Sequence, residues 1–209
     1  MRSRLYILLG SSIVSLSLLG GTVRAQDAYP YAFGGLALSG GGYELLAGTT
    51  GAGINLENRR FMALAEGALD NAHKRDSGTG YDEFAKAQIV WRGPAGWYFG
   101  GGGEWNKLIT DLYTKQAWHP TLGGGKDFIR PDFSCRLQAF YVLPGTDHLN
   151  AVQGPELTLW LPSPARKTHW LYREQVGIYE FHQTAVPGDP GTGNRSVARF
   201  ADLMVQYRF

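Results

Sequence analysis

A chain of 209 residues with 20 basic and 18 acidic side chains carries a formal net charge of +2, too small for the basic field that holds nucleic acid and too balanced for a disordered acidic segment. Its one cysteine, Cys135, excludes an intrachain disulfide, a thiolate metal cluster and a redox pair. Twenty-nine glycines, 13% aromatic residues and the lack of a 3.6-residue periodicity point to an all-β chain.

The first 25 residues stand apart. Arg2 and Arg4 precede an apolar run from Leu5 to Leu19, which Gly20, Gly21 and the small-residue site Val23-Arg24-Ala25 follow. This is the three-part pattern of a secretory signal peptide, expected to be cleaved after Ala25, and the run is short for a spanning helix. Its removal takes three arginines and no acid, so residues 26–209 carry 17 bases against 18 acids. After residue 25 no apolar stretch approaches the roughly 20 residues that a spanning helix requires, so any crossing of a membrane must be made by strands. The remaining length suits one domain with its own core.

Ten candidate strands follow, near residues 31–39, 43–54, 60–70, 81–92, 96–106, 113–125, 132–143, 153–162, 168–182 and 197–209. Eight is the alternative count, because the first two, around Gly40-Gly41-Gly42 and Thr49-Thr50-Gly51, are weakly patterned. The connections at 55–59, 93–95, 126–131 and 162–167 read as tight turns, and those at 71–80, 107–112, 144–151 and 183–196 as longer and more polar. Such alternation, with both termini on one side, is the pattern of a membrane barrel with an even number of strands.

Most strands divide cleanly into two faces. Near 132–143, Phe133, Cys135, Leu137, Ala139, Tyr141 and Leu143 oppose Ser134, Arg136 and Gln138. Leu157, Leu159 and Leu161 oppose Glu156 and Thr158, while Tyr81, Ala85, Ala87, Ile89 and Trp91 oppose Asp82, Lys86, Gln88 and Arg92. Trp97 and Trp105 share a face eight residues apart, about 27 Å along a strand, which projects to roughly 20 Å at a tilt of about 40°. With Tyr81 and Trp91 they have the spacing of two aromatic girdles around an apolar band. In Gly100-Gly101-Gly102-Gly103, Gly100 and Gly102 are expected to face the lumen, leaving room for bulky neighbours and sharp coiling. The ninth strand resists. Either register turns Glu174 or Arg173 towards lipid, and a bulge that switches faces near residue 174 is the expected remedy.

Catalytic chemistry finds little support. His73, His119, His148, His169 and His182 have no metal-ligand spacing, and Asp147-His148 lies in a connection that reads as a solvated turn. Ser134 and Ser196 lack a nucleophile elbow. The segment Leu122-Gly123-Gly124-Gly125-Lys126-Asp127 lacks the first glycine and the Ser/Thr of a phosphate loop, and Cys135 reads as a small hydrophobe. No enzyme activity, metal or cofactor is expected.

The chain closes on Ala201, Leu203, Val205, Tyr207 and Phe209 along one face, with Asp202, Gln206 and Arg208 along the other. Together with the signal peptide, turn alternation and girdles, this ending resembles the small outer-membrane β-barrels of Gram-negative bacteria, the porin-like and OmpA-membrane-domain-like class. The resemblance covers residues 26–209 and implies a single antiparallel up-and-down transmembrane barrel in the outer membrane, with no appended domain. It also implies that Leu203, Val205, Tyr207 and Phe209 form the signal read by the barrel-assembly machinery, and that lipid is the surrounding partner. Glu66, Lys86, Glu104, Arg136, Glu156 and Asp202 would face the lumen, where antiparallel pairing brings Lys86 near Glu66 and Glu104. A filled polar lumen with a structural or surface-interaction role ranks first, and a narrow porin-like channel second. An outer-membrane hydrolase or acyltransferase ranks third. A soluble exported ligand-binding barrel would need the reverse arrangement, apolar inside and charged outside. Neither the surface ligand nor the solute is legible.

Overall fold

The computed structural model describes residues 27–41, 45–74, 78–109, 114–145, 150–183 and 195–209. The expected signal segment, residues 1–25, lies outside the described residues. Ten antiparallel strands form one closed barrel: β1 (Asp27–Gly41), β2 (Leu45–Glu57), β3 (Phe61–Lys74), β4 (Gly78–Arg92), β5 (Trp97–Ile109), β6 (Thr114–Ile129), β7 (Ser134–Val142), β8 (Asn150–Leu161), β9 (Trp170–Gln183) and β10 (Arg195–Arg208). Each strand pairs with its neighbours in sequence, and β1 closes the ring on β10. The alternative of eight strands is thereby excluded.

Register fixes the dimensions. Paired residues traced from Asp27 run through Glu57, Met62, Val90, Gly100, Gly123, Phe140, Glu156, Gly177 and Phe200 to Ser39. The circuit thus returns to β1 twelve residues further along. Such a stagger tilts the strands by about 40° and leaves an interior about wide enough for side chains to fill.

Two kinds of connection close the barrel. At the end that carries Asp27 and Phe209, here the terminal end, the turns are short and internally bonded. Asn58 Oδ1 accepts from the backbone N–H groups of Arg60 at 2.7 Å and Phe61 at 2.6 Å, an arrangement that Asn favours because its side chain can stand in for a turn of backbone. The Gly93 N–H donates to Trp97 O at 2.7 Å across a single 3-10 turn. At the opposite, distal end residues 184–194 separate β9 from β10, but the long connection expected between β3 and β4 is not what the structure shows. β3 runs on to Lys74 and β4 begins at Gly78, so only residues 75–77 separate them. The polar residues read as loop therefore extend the strands beyond the apolar band.

Apart from the start of β7, where Ser134, Cys135 and Arg136 are all buried, side chains alternate between two environments. Outward are Leu36, Phe61, Trp91, Trp97, Phe99 and Trp118, among many other exposed apolar residues. Inward are buried carboxylates, guanidinium groups, amides and a few aromatics. Five of the inward aromatics share an arrangement: each lies opposite a glycine on the adjacent strand, whereas Trp160 pairs with Arg136 and Arg173 and Tyr29 with Asn55. Tyr31 pairs with Gly53 and Phe33 with Gly51, Tyr98 with Gly125, Phe140 with Gly123 and Phe200 with Gly177. A Cβ on Gly53 would stand 2.5 Å from Tyr31 Oη, and one on Gly125 would stand 2.6 Å from Tyr98 Oη. The glycine removes the only atom that would stop the ring from lying flat across the neighbouring strand, and the ring covers the backbone so exposed. At Gly100 and Gly102 the close neighbour is instead the backbone of β4, so coiling, rather than room for a distant side chain, requires them.

β9 needs no bulge. Its pairing with β10 is continuous from His182 to Trp170, and that with β8 keeps one register on both sides of residues 154 and 155. Leu171, Arg173 and Gln175 point inward and are buried. Glu174 accordingly faces outward, opposite Leu159 on β8 and Leu203 on β10.

Candidate functional site

The lumen holds the densest chemistry among the described residues, and it is built in two layers. In the layer at mid-height, Arg173 on β9 donates from Nη1 to Glu66 Oε2 at 2.7 Å and from Nη2 to Glu66 Oε1 at 2.8 Å, a two-pronged bond across the barrel to β3. Tyr31 Oη donates to the same carboxylate at 2.8 Å. The Arg173 guanidinium also lies over the rings of Phe33 and Trp160, at 5.4 and 5.5 Å from their centroids. Lys86 on β4 donates to Glu156 Oε2 on β8 at 2.8 Å and lies 3.8 Å from Glu104 Oε2 on β5. Such groups tolerate confinement because an isolated buried charge would carry a desolvation penalty of several kcal/mol.

The second layer closes the terminal end. Arg136 on β7 donates from Nε to Asp127 Oδ1 at 2.7 Å, from Nη2 to Asp127 Oδ2 at 3.0 Å and from Nη1 to Glu57 Oε1 at 3.2 Å. Arg92 bridges the same two carboxylates from the other side, at 3.1 Å to Glu57 and 3.0 Å to Asp127. Asn55 Nδ2 donates to Glu57 at 2.8 Å and to Tyr29 Oη at 2.8 Å. Beneath this cluster the β8–β9 connection folds into the mouth. Ser163 is fully buried and donates from Oγ to Asp127 Oδ1 at 2.8 Å. Pro164 O accepts from Arg208 Nη2 at 2.6 Å, and the Arg208 guanidinium stacks 3.7 Å from the Tyr29 ring centroid.

Between the layers remains a cavity of about 30 Å³, bordered by Tyr31, Gln88, Arg136, Trp160, Pro164 and Arg173. That volume holds a water molecule or two and no continuous column of water.

Of the residues singled out from sequence, the structure joins Lys86, Glu104 and Glu156 in one group and places Glu66 and Arg136 in two others. Glu66 and Lys86 are register partners, yet the ion pair of Glu66 is with Arg173. Asp202 faces inward on β10, between Gln175 on β9 and Ala37 on β1, but enters none of the ion pairs among the described residues. Arg92 is on the face that the sequence assigns to the lumen, whereas Arg173, Glu57, Asp127 and Ser163 are not among the residues the sequence singles out. Glu57 and Asp127 lay in segments read as turns, and Arg173 in the strand whose facing was ambiguous. Clean alternation continued to the strand ends finds Glu57, Asp127 and Arg173; Ser163 lies in the connection after β8, where no alternation applies.

On the outside, Trp91 packs against Phe99 at 5.2 Å, and Trp170, Tyr207 and Phe209 form a chain at 4.7 and 5.3 Å, all near the terminal end. Trp105 lies 6.4 Å from Trp118 towards the distal end, and Trp97, 57% exposed, opens β5 at the terminal end. The side chain of Tyr81 lies outside the described residues. Leu203 and Val205 are exposed on the outward face of β10, in line with Tyr207 and Phe209.

No family model matches the chain, and no curated sequence matches it either. Among solved structures it is similar to the beta domain of the Bordetella autotransporter Brka, with 12% identity and a TM-score of 0.43 over 87% of this chain and 98% of that one. It is similar also to the translocator domain of the autotransporter NalP from Neisseria meningitidis, with 12% identity and a TM-score of 0.40 over 97% and 95% of the two chains. For the transport unit of the autotransporter AIDA-I from Escherichia coli the values are 11% and 0.33 over 98% and 97%. The class of protein follows from the chain's own architecture. A closed antiparallel ring of ten strands, apolar and aromatic outside and charged within, is a β-barrel of the Gram-negative outer-membrane type.

Proposed function

We propose that this chain is an integral outer-membrane barrel with a closed lumen, set with its terminal end in the periplasm and acting through the distal strand ends and the connections that join them. The observation that supports this reading best is the two-layered ion-pair network, together with the infolded Ser163 and Pro164 beneath it. Arg136, Asp127, Glu57 and Arg92 span the mouth with their charged atoms 2.7–3.2 Å apart. A solute would have to break several charge-assisted bonds, each worth about 1.5–3 kcal/mol, to pass. The lumen therefore serves as a packed core of polar groups that holds the ring in shape. What the barrel displays, and to which surface ligand, is carried by the distal end.

The test is reconstitution of the purified protein in a planar bilayer beside Lys86→Ala. Silence of the unaltered protein, with loss of stability in the variant, supports the closed barrel. Steady, salt-dependent unit conductance of the unaltered protein would replace it with a narrow channel.

A further inference from the structure

On the outward surface, a dent opens near the terminal end of β6. Gly124, Lys126 and Phe128 succeed one another there on the lipid side, with Phe99 and Trp97 beside them on β5 and Ala139 and Leu137 on β7. Gly124 cannot carry a side chain, because a Cβ would meet the backbone oxygen of Tyr98 and stand 3.1 Å from Phe99 Cα. The dent that results is therefore built into the backbone. With Trp97 and Phe128 as walls it makes an open groove of about 360 Å³.

Lys126 stands at the head of this groove. Its ammonium lies 4.6 Å from the Trp97 ring centroid and 5.1 Å from that of Phe128. Among the described residues no carboxylate comes within 4 Å of it, since Asp127 points the other way into the lumen. Three residues before the end of β6, it sits roughly 8 Å above the terminal rim along the tilted strand, at the level where a long basic side chain reaches headgroups. The rim below is basic as well. Arg59, Arg60, Arg130 and Lys167 are exposed there, against the acids Asp27 and Asp132.

We propose that the groove binds one phospholipid of the periplasmic leaflet with an anionic headgroup, its phosphate against Lys126 Nζ and an acyl chain along Gly124 and Ala139 between Trp97 and Phe128. A cation already held against two aromatic faces lacks only an anion, and the groove leads from that cation into the apolar band. A protein segment would leave backbone groups unpaired at this depth, whereas an acyl chain has none to pair. The inference rests on the barrel being embedded in the outer membrane with its terminal end inward.

The experiment is native mass spectrometry of the delipidated full chain in detergent, titrated with dioleoylphosphatidylglycerol or dioleoylphosphatidylcholine. The expected result is a single-lipid adduct that forms at roughly fivefold lower concentration with the anionic lipid, the preference one surface lysine supplies. Lys126→Ala should abolish that preference and Lys126→Arg should keep it. Ala139→Phe, which fills the groove from an exposed position, should weaken both lipids alike. Mobility of unboiled samples in gel electrophoresis reports that each variant is a folded barrel. Equal affinity for the two lipids in the unaltered chain, or a preference that persists in Lys126→Ala, would overturn the site. An unaltered chain without heat-dependent mobility would instead overturn the barrel reading on which the site depends.

Discussion

Replacing Arg173 by methionine should cost the barrel nearer 3 than 5 kcal/mol, and the structure decides where in that range. Removal of one partner from a buried ion pair typically costs about 3–5 kcal/mol, because the other charge is left without compensation. Arg173 is 4% exposed and gives Glu66 two charge-assisted bonds at 2.7 and 2.8 Å, plus one to Gln175 at 3.1 Å. Glu66 would keep its bond from Tyr31, and the cavity of about 30 Å³ that borders Tyr31 and Arg173 could admit water to the orphaned carboxylate. Both remnants lower the cost. Methionine preserves much of the contact with Phe33 and Trp160, so the loss reports the charge rather than the volume. The assay is urea unfolding of the protein refolded into lipid vesicles, followed by tryptophan fluorescence and by gel mobility. Glu66→Gln alone and the double variant complete the cycle. The double variant should be less destabilised than the sum of the two single ones, by at least about 1.5 kcal/mol. A cost below about 1 kcal/mol for Arg173→Met, or full additivity, would show that the cross-lumen pair does not hold the barrel.

Three further outcomes follow from the geometry. Gly177→Ala should destabilise by about 1–3 kcal/mol, because its Cβ would run into the Phe200 ring, and Phe200→Leu in the same chain should recover most of that loss in the same unfolding assay. Glu174→Leu should stabilise the barrel in vesicles by about 1–2 kcal/mol, since the carboxylate faces hydrocarbon between Leu159 and Leu203; an unchanged urea midpoint would mean that Glu174 has a partner in the membrane. Replacing Tyr207 and Phe209 together by serine removes the ring contacts that link them to each other and Tyr207 to Trp170, and should lower the amount recovered in outer-membrane fractions.

The ten strands were legible because each outward face repeats apolar residues at every second position, and hydrocarbon outside with polar groups within enforces that repeat more strictly than a half-buried sheet does. The division of Leu137, Ala139 and Tyr141 from Arg136 and Gln138 is visible in the sequence and unchanged in the fold. The partners of the charges were not legible. Nearest-neighbour pairing gives Lys86 with Glu104, but Arg173 meets Glu66 from six strands later, through a contact fixed by the stagger of the ring. Glu57 and Asp127 escaped notice because Asn58 and Pro131 beside them carry strong turn chemistry, which hid the fact that the strands continue to Glu57 and Ile129. On β9, Glu174 was expected to force a bulge. The register of thirteen residue pairs along the same strand outweighs the few kcal/mol that one carboxylate can cost.

A ring of strands joined only edge to edge behaves mechanically as a thin hoop, stiff along its circumference and soft towards flattening into an ellipse. Here the ion pairs run as chords across that hoop: Glu57 on β2 to Arg136 on β7, Glu66 on β3 to Arg173 on β9, and Lys86 on β4 to Glu156 on β8. The first joins strands on opposite sides of the circle, and the other two, between strands placed symmetrically about one diameter, are parallel chords at a single height. Flattening that lengthens the ring along either of these two directions must stretch at least one of them, so the cross-section resists it there. In a bilayer whose thickness or packing changes, the deformation then falls on the lipid around the barrel and leaves its circular section intact.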